Sequence, residues 1–148
     1  MFTRLDEVKS YYQLRLNETP NDELLARYKN RIQDAFFPKR GFGEARLSIA
    51  QKPIQEYKKI TNSPNALIDL MVFYVELGVK FTIAYGDIDA PFYSSVESMF
   101  ARAIKLMAKY QLRDQFEMRC RNIVQATSHT GWGFHDNLSA TFTEYFTD

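Results

Sequence analysis

The chain has 148 residues, a length that suits one domain able to bury a real core. Hydrophobic residues make up 45% and aromatics 15%, too apolar for disorder, while six Gly and five Pro are few enough to favour long helices over strands and turns. One cysteine, Cys120, excludes an internal disulfide framework and a thiolate zinc cluster, and a net charge of +1 disfavours a nucleic-acid partner.

That small net charge hides segments of opposite sign. Residues 27–59 hold nine Lys/Arg against three Asp/Glu, and residues 101–122 hold six against two. Residues 60–100 hold one against five, and residues 123–148 none against three. Two basic segments permit an anion-binding face, provided the fold brings them together; otherwise they are the solvated charge of long helices.

In chain order, residues 4–16 read as a first helix, with Leu5, Val8, Tyr12 and Leu16 at helical spacing. The N-terminus, MFTRLDEVKSYY, lacks the apolar run of a signal peptide, so a cytosolic protein is expected. Thr19 and Pro20 suit a helix start, and a second helix runs to about Phe37 with Leu24, Tyr28, Ile32 and Phe36 on one face. PKRGFG is the clearest loop. A third segment, 44–60, carries Leu47, Ala50, Ile54 and Tyr57 on one side, with a kink or break expected near Lys52 because Pro53 sits inside it.

The organising stretch is 66–85, ALIDLMVFYVELGVKFTIAY. Ser63 is placed to cap it and Pro64 to lead it. Asp69, Glu76 and Lys80 fall within roughly 40° of one another at helical spacing, on an otherwise apolar rod. Such a rod belongs in the middle of a protein, and its three charges argue against a membrane span. Enclosed, those charges must pair or line a cleft, and Glu76 and Lys80 are spaced for an i,i+4 pair. A fifth helix then presents Phe92, Val96, Met99, Ala103, Leu106/Met107 and Tyr110. The sixth covers about 112–127 with Leu112, Phe116, Cys120 and Ile123 aligned, which makes Cys120 a small core residue. The last, 135–146, buries Leu138, Phe142 and Tyr145/Phe146. The expected fold is all-α: one domain of about seven helices, an antiparallel bundle or short stack of helix pairs around the buried helix 66–85.

The pieces FFPKRG (36–41), ARLSIA (45–50), YGDIDAPFYSSVESMF (85–100) and TGWGFHD (130–136) resemble, in order and spacing, a bacterial family classed only as a domain of unknown function. The resemblance spans roughly residues 10–146. It implies a small helical domain and carries no activity, cofactor or partner with it.

Three regions are candidates for chemistry. Lys39, Arg40 and Arg46, in a glycine-bearing loop before a helix, suit a phosphate or carboxylate, although GFGEAR lacks the phosphate-loop frame and a solvated turn, with Arg46 paired to a neighbouring carboxylate, is the plainer explanation. Asp87 and Asp89 suit a hard cation or, more plainly, the start of the fifth helix. HTGWGFHDN holds both histidines, Trp132 and Asp136. There His135 could act as a general base, or the glycines form a tight turn whose aromatics plug the bundle end. A cleft gathering Glu76, Asp87, Asp89, Trp132, His135 and Asp136 is the enzyme or small-ligand alternative. No nucleophile–base pair, metal box or phosphate loop stands out, so no catalytic residue, metal ligand or cofactor is assigned. The preferred expectation is a non-enzymatic interaction domain with a protein partner or self-association, and neither nucleic acid nor membrane.

Overall fold

The structure, a computed structural model, describes residues 22–37, 47–85, 90–130 and 133–146. All regular structure among them is helical: α1 (Asp22–Phe36), α2 (Leu47–Ile60), α3 (Pro64–Tyr85), α4 (Ala90–Lys109), α5 (Arg113–Ala126) and α6 (Phe134–Phe146). The expected helix at 4–16 and its neighbours Thr19 and Pro20 lie outside the described residues.

Helix α3 is the axle. Ser63 accepts the Ala66 N–H at 3.2 Å, the predicted cap, and satisfies a donor that the first turn cannot. Ile68, Leu70, Met71, Val72, Tyr74, Val75, Leu77, Val79 and Phe81 are all buried. α1, α2, α4 and α5 pack on it from different sides. A fully buried aliphatic side chain of this kind contributes about 1.5–3 kcal/mol relative to exposure.

Cross-helix contacts set the chain directions. Tyr28 meets Tyr57 and Arg31 meets Glu56, so α1 and α2 run antiparallel. Phe81 meets Phe92 and Tyr74 meets Ser95, so α3 and α4 do too. Arg113 at the start of α5 donates to the Tyr145 carbonyl at the end of α6, while His135 lies beside Val124. The helices therefore form three antiparallel pairs laid side by side, which is the helix-pair stack among the expected arrangements.

Rings stitch the pairs together. Phe36 lies 5.1 Å from Tyr74 and 6.2 Å from Phe92, and Tyr93 lies 4.9 Å from Phe134, linking α1, α3, α4 and α6. Each such contact adds about 0.5–1.5 kcal/mol beyond area burial. The buried Tyr74 hydroxyl shares a hydrogen bond with Ser95 at 3.0 Å, and Gln51 donates to both. Burial raises the Tyr74 pKa above 10, against the lowering effect of these bonds.

Four expectations need correction. α2 continues through Pro53 without a break. Pro53 lies in the second turn, and the carbonyl it leaves without its helical donor belongs to Ile49, an exposed residue (41%). Tyr110 is exposed rather than buried, because α4 ends at Lys109. The chain turns there: Gln111 adopts φ 59°, and the Leu112 N–H donates to the Met107 carbonyl at 2.8 Å, a Schellman closure with glutamine in the left-handed position. Phe142, Tyr145 and Phe146 are half-buried, whereas Phe134 at the start of α6 is fully buried, as expected of an aromatic plug. Glu76 pairs across helices and not with Lys80, which lies over the Phe37 ring instead. Cys120 is a core residue as expected.

No helix among the described residues is long and apolar enough to cross a membrane.

Candidate functional site

The charged stripe of α3 is satisfied from two sides. Lys29 on α1 reaches Asp69 at 3.1 Å. Arg119 on α5 bonds Asp69 through Nη1 at 2.5 Å and Glu76 through Nη2. Burial pulls the Arg119 pKa down, but its bonds to Glu76 and Asp69 outweigh that and hold it above its ordinary value. The carboxylates thus fasten α1, α3 and α5 to one another.

His135 is also committed. Thr127 gives its hydroxyl proton to the Val124 carbonyl at 2.7 Å, so Nδ1 of His135, 3.1 Å from that carbonyl and 3.0 Å from the hydroxyl, is the donor. The imidazole caps the C-terminal end of α5, where donors are wanted. Gly133, at φ 69°, makes the left-handed step into α6. Asp136 is exposed in the first turn of α6. No hydrogen bond or ion pair joins Glu76 to His135 or Asp136 among the described residues. Lys39, Arg40, Arg46, Asp87, Asp89 and Trp132 lie outside those residues. No group of three His, Cys, Asp or Glu placed to hold a metal occurs among the described residues.

The opposite face of α3 carries a different feature. Leu67 and Met71 fall roughly 140–180° round the helix from Asp69 and Glu76 at 100° per residue. They floor a groove of about 200 Å³ between α2 and α4. Ile54 and Lys58 line it from α2, and Arg102, Lys105 and Leu106 from α4. The groove exists because α2 and α4 both pack on α3 and are bridged by Gln51–Ser95 at one end. Towards Lys58 and Arg102 they leave a recess with buried Ile54 and Met71 at its base.

Lys58, Arg102 and Lys105 are exposed, and no carboxylate lines the groove. None of the three makes an ion pair or hydrogen bond among the described residues, whereas Lys29, Arg31, Arg119 and Arg121 are all paired. These cations come from the two basic segments, 27–59 and 101–122. The segment charges were the sequence signal for this place, and only packing shows that they converge.

A family of unknown function, DUF6155, matches residues 1–146. The chain belongs to that family. No curated protein and no solved structure matches it. Among the described residues the DUF6155 chain presents an ion-pair network that is internally satisfied, and an apolar groove whose rim cations make no ion pair there. The first holds helices together. The second contains no such network.

Proposed function

We propose that this chain is a non-enzymatic, single-domain interaction module of the bacterial cytosol that receives another macromolecule in the α2–α4 groove. The groove's composition carries the reading: aliphatic walls from three helices, with rim cations that make no ion pair among the described residues. Its volume of about 200 Å³ is below the roughly 300–1,000 Å³ of small-molecule sites, and suits one or two apolar anchor side chains. Leu67 and Leu106, both half-buried, would supply the contact area around such an anchor.

The test is photo-crosslinking in cells that produce the chain. A photoreactive residue replaces Lys58 at the groove, and in a control Met118, which is 66% exposed on α5. The expected result is a discrete adduct from position 58, absent from position 118 and lost when Leu106→Glu blocks the recess. An adduct only from position 118, or none from position 58, would overturn the reading.

A further inference from the structure

We propose that the occupant of the α2–α4 groove is an acidic amphipathic helix of a partner protein. This rests on the interaction-module reading and adds the partner's chemistry.

Charge complementarity carries the first step. Three cations rim a recess that contains no carboxylate. Arg102 and Lys105 stand i,i+3 on α4, so their like charges repel across neighbouring positions. Lys58, in the last turn of α2, is favoured by that helix's dipole, but no such help reaches Arg102 in the body of α4. An anionic partner relieves the repulsion and pairs cations that make no ion pair among the described residues. Arg102 in addition offers a fork suited to a carboxylate.

The apolar surface selects the kind of anion. Ile54, Leu67, Met71 and Leu106 form an aliphatic recess beneath the cations. No aromatic ring lines it on which a base could stack, which disfavours single-stranded nucleic acid. A bilayer engages apolar side chains that protrude beyond the charges, and here they lie below them. A recess below and cations above match a segment whose apolar and acidic residues lie on adjoining faces.

Spacing selects a helix. Arg102 and Lys105 are about 4.5 Å apart along the α4 axis, at 1.5 Å per residue. Carboxylates three or four residues apart on a helix laid alongside repeat at the same interval, with Leu-like anchors pointing into the recess. Strand addition requires an open sheet edge, and the described residues contain no strand.

The experiment is selection from a phage-displayed library of 16-residue helical peptides, with two leucines fixed four apart and all flanking positions randomised. The full chain is the bait, with an Arg102→Glu/Lys105→Glu chain in counter-selection. Both substituted residues are exposed, and circular dichroism confirms the fold of the variant. The expected pool is enriched in Asp and Glu beside the leucines. Its members bind the double variant at least tenfold more weakly and lose affinity as salt rises. The proposal is overturned by a neutral or basic pool, by failure to enrich any sequence, or by affinity indifferent to the double variant. Tighter binding to phosphatidylglycerol vesicles or to a 20-nucleotide RNA than to the selected peptides overturns it as well. A groove adduct in cells alongside a non-acidic pool would sink only the partner's chemistry, whereas loss of the adduct would sink the interaction reading itself.

Discussion

Arg119 on α5 bonds Asp69 on α3 across 50 residues of sequence, at 2.5 Å. Its second arm takes Glu76, so one guanidinium spans two turns of the central helix. Asp69 is also held by Lys29, and the network is partly shielded, with Arg119 32% and Asp69 21% exposed.

Arg119→Met should therefore cost more than an ordinary surface pair. It leaves two carboxylates on one face of α3, Asp69 still paired with Lys29 and Glu76 without an ion-pair partner among the described residues. The expected loss is about 1–3 kcal/mol, between exposed and fully buried pairs, read as a melting temperature lower by about 5 °C. Adding Asp69→Asn and Glu76→Gln should recover part of it. An unchanged melting temperature in the single variant would show that the network does not hold the helices.

Cys120 is fully buried and lies 4.0 Å from the Met107 sulfur. Burial pushes its thiol up to about 12, with Arg119 lowering it and Glu76 raising it to smaller extents. In the unfolded chain a thiol titrates near about 8.5. The folded value is the higher one, so this contribution to stability is complete below about 8.5 and is lost as pH rises toward 12. Tyr57 and Tyr74, both raised by burial, act in the same direction. Urea midpoints should fall between pH 8 and pH 10.5, less steeply in Cys120→Ala. Native Cys120 should stay unreactive to a thiol reagent at pH 8 and react once the chain is unfolded. Rapid labelling of the folded chain would contradict its enclosure.

At Gly78, α3 lies close against Val96 of α4. A Cβ there would lie 2.6 Å from Val96 Cγ2 and 3.2 Å from Cγ1, and valine is stiff about χ1. Gly78→Ala gains about 1 kcal/mol of helix propensity but forces the helices apart at a cost of about 1–3 kcal/mol. We expect net destabilisation, with Gly78→Ala/Val96→Ala showing favourable coupling between the two sites. Additive effects in the double-mutant cycle would mean that the two helices do not meet here.

Local physics was legible in the sequence. The Ser63 cap, the Leu24–Tyr28–Ile32–Phe36 face and the burial of most of the apolar side chains from Ala66 to Phe81 follow from spacing within one helix and hold, whereas Ile83, 60% exposed, lies beyond the enclosed part. What spacing does not encode is which faces meet. Glu76 was four residues from Lys80, yet its partner is Arg119, because packing α5 against α3 brings a longer side chain onto the stripe. Likewise Lys58 and Arg102 belong to separate basic segments, and only the common seat of α2 and α4 on α3 makes them neighbours. His135 carried a general-base reading because a histidine beside an aspartate looks catalytic. The α5–α6 turn ties its Nδ1 to the end of α5, a structural role that spacing did not encode and that leaves Nε2 outside those bonds.

Every feature described, the ion network on one side and the groove on the other, depends on α3 being enclosed. Amide hydrogen exchange, followed residue by residue across a urea series, tests that directly. The amides of Ile68 to Thr82 should be among the slowest, exchanging only through global unfolding, with a free energy that falls with urea as the whole chain's does. Exchange of those amides through local opening, independent of urea and as fast as the amides of 140–146, would contradict the account.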